Sequence, residues 1–196
     1  LVGSCRAALR DDTDHRTDHI QLPDRDLVVG MGWQAGPDHP GDPGMLRMLR
    51  PLATGPLLRK DFLLDPLQIF ESFFLGADAV LLIAAVLEDQ ALLRMLAQVK
   101  SLGMEALVEV HREEELERVL RTDAEMVGIN NRNLSSFEVD LHTTERLLGV
   151  LERLEPRSPR LVVAESGVRT VEDARFLRRC GVDGVLVGEA LMRAPD

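Results

Sequence analysis

The chain has 196 residues, enough for one domain with a substantial core, yet short of the roughly 250 typical of a closed eight-stranded α/β barrel. Its 33 acidic against 23 basic side chains leave a net charge of −10, which argues against nucleic-acid or anionic-membrane surfaces, since both need clustered lysine and arginine. No apolar run approaches the roughly 18 residues of a membrane span, and the N-terminus lacks the pattern of a secretion signal.

Residues 1–44 differ from everything after them. Every acidic residue there is Asp, no Glu precedes Glu71 and no Lys precedes Lys60. Asp14-His15 and Asp18-His19 form a near repeat, but an Asp/His/Arg stretch without apolar pattern reads as a solvated, irregular segment and not as a metal site. Residues 27–31 have the character of a short strand, broken at once by Gly36-Pro37, His39-Pro40 and Asp42-Pro43-Gly44. Residues 45–52 have helical spacing and lead into an apolar run at Leu57.

That run, Leu57-Leu58-Arg59-Lys60-Asp61-Phe62, delivers a lysine and then turns into a helix: Asp65 stands at the cap, Pro66 in the first turn and Gln68 three residues on. From here the chain is regular. Strand-like runs at 79–84, 106–110, 126–129, 161–164 and 184–187 alternate with amphipathic helices. The first helix groups Ile69, Phe70, Phe73 and Phe74. Later ones group Leu93, Leu96 and Val99, then Leu116, Val119 and Leu120, then Leu147, Leu151 and Leu154. The last begins at Thr170, with Asp173 as the partner of a capping box, and ends at Gly181. The two cysteines, Cys5 and Cys180, have no ligand spacing; Cys180, before Gly181, reads as a small buried residue, consistent with a reducing cytoplasm.

The entries into two strands echo each other, Gly76-Ala77-Asp78-Ala79-Val80-Leu81 and Gly181-Val182-Asp183-Gly184-Val185-Leu186. A βα unit repeating every roughly 20 to 35 residues implies right-handed crossovers and a parallel sheet or barrel. Ligands of such sheets bind at the carboxyl ends of the strands. There the chain places Lys60, Glu109, Asn130, Glu165, Ser166 and Gly188. A carboxylate inside Leu107-Val108-Glu109-Val110 or Val163-Ala164-Glu165-Ser166 is costly to desolvate and needs a partner or a task. One reading is an internal salt bridge from Lys60 to either glutamate; the other is a lysine acid and a glutamate base separated by a bound substrate. Gly167, Gly188 and a helix start at Glu189 suggest backbone amides presented to an anion.

Five motifs, Leu58-Arg59-Lys60-Asp61-Phe62, Leu107-Val108-Glu109-Val110-His111, Gly128-Ile129-Asn130-Asn131-Arg132, Ala164-Glu165-Ser166-Gly167 and Val187-Gly188-Glu189-Ala190-Leu191-Met192, together resemble the indole-3-glycerol phosphate synthase family. The resemblance runs from about Met45 to the end. It implies a lyase of the TIM (βα)8 barrel class acting in tryptophan biosynthesis, in the cytoplasm, with no metal or organic cofactor. Its substrate would be the sugar phosphate 1-(2-carboxyphenylamino)-1-deoxyribulose 5-phosphate, closed to indole-3-glycerol phosphate with loss of CO2 and water.

Carried over by motif, Lys60 would be a general acid, Glu109 its acid/base partner, Asn130 a group orienting substrate hydroxyls, and Glu165 a further catalytic group. Phe62 and Leu134 would pack the aromatic ring, Arg132 support its loop and Ser166 line the pocket. The amides of Gly167, Gly188 and Glu189 would hold the phosphate.

Against the family pattern, strands three to eight are recognisable as about six βα units over 45–196, whereas strands one and two are not identifiable. The Glu, Lys and Ser-Pro loop of the family's first strand are missing from 1–44, and Asn133 stands where the family usually has Asp. The change of composition and the start at Leu1 suggest a shifted reading frame or a gene fragment. Weak activity and self-association through open barrel edges are then expected, and the alternative to an enzyme is an inactive barrel fragment that only binds sugar phosphate or a partner chain.

Overall fold

The computed structural model describes residues 44–188 and Ala190. The expectations for 1–43, including the strand at 27–31, and for Glu189 lie outside the described residues.

A short helix, α1 (Gly44–Leu49), leads into β1 (Leu58–Arg59), after which strands and helices alternate. They are α2 (Pro66–Phe74), β2 (Ala79–Ile83), α3 (Asp89–Ser101), β3 (Glu105–Val110), α4 (Glu113–Leu120), β4 (Met126–Asn130), α5 (His142–Leu154), β5 (Leu161–Glu165), α6 (Val171–Cys180) and β6 (Gly184–Leu186). The six strands form one sheet in sequence order, β1 to β6, and every pairing is parallel. This is the strand succession of a (βα)8 barrel, present here as six consecutive strands.

Both faces of the sheet are covered, which is why its strands read as unbroken apolar runs. Alternate residues such as Val80, Leu82, Val108, Val127, Ile129 and Val162 pack on the helices. The intervening set, Leu58, Ala79, Leu81, Ile83, Leu107, Met126, Val163 and Leu186, forms a separate cluster on the inner face.

Local chemistry fixes the ends of these elements. Asp65 and Gln68 form a capping box at α2 with Pro66 in its first turn, Thr170 and Asp173 form another at α6, and α6 stops at Gly181 with φ 98°. The echoed turns are explained by their aspartates. Asp78 Oδ2 accepts from the amide of Leu57 at 2.7 Å and Asp183 Oδ2 from that of Val162 at 2.7 Å, so each carboxylate caps the start of the neighbouring strand.

Three helix faces and one cysteine differ from expectation. On α2 only Ile69 and Ser72 are buried, while Phe70, Phe73 and Phe74 are 42%, 43% and 79% exposed. The helix is turned because Arg59, itself buried, projects beneath it and donates to Gln68 O, Ser72 Oγ and Glu71 Oε2. On α3 the buried set is Leu92, Met95, Leu96 and Val99, not Leu93, and on α5 Val150 replaces Leu154 beside Leu147 and Leu151. A rotation of one residue about the helix axis is enough to exchange such neighbours. Cys180 is half-buried and not buried, because it closes the last turn of α6 at the molecular surface.

Candidate active site

Four inner files of side chains, those of β1, β3, β4 and β5, change from apolar to polar at the carboxyl end of the strand. Residues two apart on a strand share a face, so Lys60 follows Leu58, Glu109 follows Leu107, Asn130 follows Met126 and Gly128, and Glu165 follows Val163. Register then aligns them: Glu109 lies beside Gly128, and Asn130 beside Glu165.

Lys60, one residue past β1, carries its ammonium into this layer. Its Nζ lies 3.3 Å from Glu109 Oε2 and 3.1 Å from Glu165 Oε2. The lysine side chain is 26% exposed against 2% and 0% for the carboxylates, so the ammonium is the charge nearest the opening. The internal ion pair weighed as one reading is therefore present, shared between both glutamates.

Room for the second carboxylate comes from Gly128. A methyl group there would overlap Glu165 Oε1 and stand 3.1 Å from its Cδ and 3.3 Å from Leu107 Cδ1. Glu165 is fully buried, and although one oxygen is at ion-pair distance from Lys60, neither accepts an aligned hydrogen bond among the described residues.

The two carboxylates are electrostatically unlike. Burial raises Glu165 to about 7, against the attraction of Lys60 and with the repulsion of Glu109. Burial also penalises Glu109, but the His111 ring, Lys60 and a hydrogen bond from Asn130 outweigh it and bring its carboxyl down to about 2. For Lys60, burial opposes the charge, and the two glutamates more than offset it, holding the ammonium above its ordinary range. At neutral pH the cluster thus holds a cation, a carboxylate and a carboxyl near its midpoint, the kind of separation that gives acid and base different roles.

The indole-3-glycerol phosphate synthase family model matches residues 38–196. The chain belongs to the indole-3-glycerol phosphate synthase family.

Relatives described as indole-3-glycerol phosphate synthase agree with the family match. The chain is 48% identical over 156 residues to that of Petrotoga mobilis, covering 80% of this chain and 62% of the relative. It is 47% identical over 154 residues to that of Acetivibrio thermocellus, covering 79% and 57%, and 52% identical over 156 residues to that of an Acidovorax species, covering 80% and 57%. The chain therefore spans about three-fifths of the length of these relatives. A solved mandelate oxidase variant carrying an FMN adduct matches with TM-score 0.55 at 14% identity, over 76% of this chain and 59% of that one, and this likeness shows the fold alone.

The remaining residues named by the family motifs stand on loops at the same end of the sheet. Phe62, 37% exposed, follows β1. Arg132 and the half-buried Leu134 follow β4; the Arg132 amide donates to Asn130 Oδ1 at 3.0 Å and its Nη1 to Phe137 O at 3.5 Å, tying the loop together. Ser166 and Gly167 follow β5 with φ 63° and 91°. Gly167 is needed twice over, since a Cβ there would also meet Val139 Cγ1 at 2.5 Å. Gly188 follows β6, and among the described residues nothing lies within 4 Å of a Cβ placed there.

Four supporting residues, three of them inside the quoted motifs, were given no role by the sequence reading. Gly128 lies in the inner file between Met126 and Asn130, where its missing side chain was the signal. His111 follows Glu109 by two on the same face of the chain, and Glu115 follows His111 by four. Asn131, 2% exposed, donates to Glu165 O at 3.1 Å and Ser166 O at 3.2 Å and accepts from Thr144 N and Oγ1, locking the ends of β4 and β5 to α5.

Proposed function

We propose that this chain carries out indole-3-glycerol phosphate synthase chemistry: ring closure of 1-(2-carboxyphenylamino)-1-deoxyribulose 5-phosphate with release of CO2 and water. The observation that carries the reading is the Lys60 ammonium poised between Glu109 and Glu165 at the strand ends of a chain belonging to this family.

In this proposal Lys60 protonates the substrate's carbonyl oxygen as the aromatic carbon bearing the carboxylate attacks, and CO2 leaves as aromaticity returns. A cation at that oxygen stabilises charge that develops only in the transition state. Glu109, ionised beside Lys60, takes a proton from the ring carbon next to the nitrogen and returns it to the remaining hydroxyl, which leaves as water as the double bond of the new ring forms. Asn130 orients the sugar hydroxyls and Glu165 completes the polar wall. Phe62 and Leu134 flank the aromatic ring, Arg132 braces that loop, and Ser166 lines the pocket. The amides of Gly167, Gly188 and Glu189 hold the phosphate.

No helix among the described residues is long and apolar enough to cross a membrane. We assign the activity to the cytoplasm and the catalytic unit to residues 45–196. Self-association through the outer strands β1 and β6 is part of the same proposal, and sedimentation of the purified chain over a concentration series tests it. Incubating the full chain with the carboxyphenylamino substrate and following indole fluorescence tests the activity. Product formation supports the assignment; binding without product would overturn it.

A further inference from the structure

Behind Glu109 runs a line of charges, His111, Glu115 and Arg112, that the proposed chemistry does not use. Glu109 presents Oε2 to Lys60 at 3.3 Å and Oε1 to His111 Nε2 at 3.2 Å. The opposite ring nitrogen of His111 lies 3.5 Å from Glu115 Oε2. Glu115 is fixed in turn: at the third position of α4, its Oε2 accepts from the His111 amide at 2.7 Å and its Oε1 from Arg112 Nε at 2.8 Å, with Arg112 Nη2 at 2.7 Å.

All three side chains between Lys60 and the outer Arg112 are shielded, with Glu109, His111 and Glu115 at 2%, 10% and 3% exposure. Two carboxylates flanking an imidazole from opposite sides leave it only one comfortable state, the imidazolium. Both ring nitrogens sit at ion-pair distance from the carboxylates, which hold the ring between them.

We propose that His111 is a positioning residue for this site: anchored by Glu115, its imidazolium holds the Glu109 carboxylate ionised and turned so that its other oxygen faces Lys60. The inference rests on the synthase reading only for its consequence in turnover. The groups facing Glu109 are His111 just past the end of its own strand, Lys60 just past β1, Asn130 from β4 and Glu165 from β5; those facing His111 are Glu109 and Glu115, the latter held by Arg112. Burial opposes the charge on His111, but Glu109 and Glu115 raise it to about 9, so the ring is cationic at neutral pH. Without that cation Glu109 keeps only Lys60 and the Asn130 amide to offset its own burial.

The test is a titration of the full chain by NMR, reading the Glu109 side-chain carboxyl and the His111 ring CH, in the unsubstituted chain, His111→Gln and Glu115→Gln. We expect Glu109 to stay ionised to about pH 2 and His111 to titrate near about 9 in the unsubstituted chain. In His111→Gln the Glu109 midpoint rises by about one pH unit or more, and the acid limb of kcat/KM moves by the same amount with KM little changed. In Glu115→Gln the His111 midpoint falls toward its ordinary 6.5, a readout that stands even where His111→Gln does not fold.

An unmoved Glu109 midpoint in folded His111→Gln, or a His111 midpoint near 6.5 in the unsubstituted chain, would overturn the inference. Absence of turnover by the unsubstituted chain refutes the synthase reading instead and leaves the midpoints to decide the role of His111.

Discussion

Replacing Glu165 with Gln should flatten the dependence of stability on pH between mild acid and neutrality. The side chain is fully buried, its oxygens accept no aligned hydrogen bond among the described residues, and burial lifts its carboxyl from 4.5 to about 7 despite Lys60 at 3.1 Å. A carboxyl that titrates higher in the folded than in the unfolded chain binds its proton more tightly when folded. It therefore favours folding below about pH 4.5, and that contribution is lost as pH rises to about 7. At about 1.4 kcal/mol per pH unit, the loss is about 3 kcal/mol. Gln has nearly the same shape and no proton to lose, so the variant lacks this slope. Urea unfolding of both proteins at about pH 5 and about pH 8 measures it, and other titrating groups such as His111 contribute equally to both and cancel. The variant should gain about 2–3 kcal/mol on the unsubstituted chain between the two conditions, since at about pH 5 the unfolded carboxyl is already largely ionised. Parallel losses in the two proteins would refute the reasoning, because Glu165 would then be ionised or solvated throughout.

Gly128→Ala drives a methyl group into Glu165 Oε1; the carboxylate must withdraw from Lys60, with a stability loss of about 1–3 kcal/mol in urea unfolding and a turnover loss larger than that figure explains. Asn131→Ala removes four hydrogen bonds at a buried junction and should cost about 3–5 kcal/mol, seen as a lower urea midpoint with an unchanged m-value. Glu109 and Glu115, both brought down to about 2 in the fold, contribute stability that is complete above about pH 4.5 and lost toward about pH 2, so stability in urea should decline across that window, and less steeply in Glu115→Gln.

The order of strands and helices was legible from 57 onward because a parallel sheet covered on both faces writes each strand as an apolar run, and caps such as Asp65/Gln68 and Thr170/Asp173 mark where helices begin. The convergence of Lys60, Glu109 and Glu165 was legible too, since each is a charge ending an otherwise apolar run. The aromatic face of α2 was misjudged because its orientation depends on Arg59, a charge inside the first strand whose partners lie nine to thirteen residues away. Gly128 could not be given its role from sequence, because what its missing side chain makes room for belongs to β5 and is set by inter-strand register. His111 and Glu115 have readable spacing, but their pairing needs the chain to turn from β3 into α4 at Arg112, which brings the third helical residue back over the strand end.

A double-mutant cycle on kcat/KM with Lys60→Met and Glu109→Gln tests most directly whether these side chains act on one bound substrate. The account predicts that each substitution alone lowers kcat/KM by about 100-fold or more and that the pair loses little beyond the worse single variant, because groups acting as one unit are not additive. Losses that multiply independently, or either single variant retaining full activity, would contradict it.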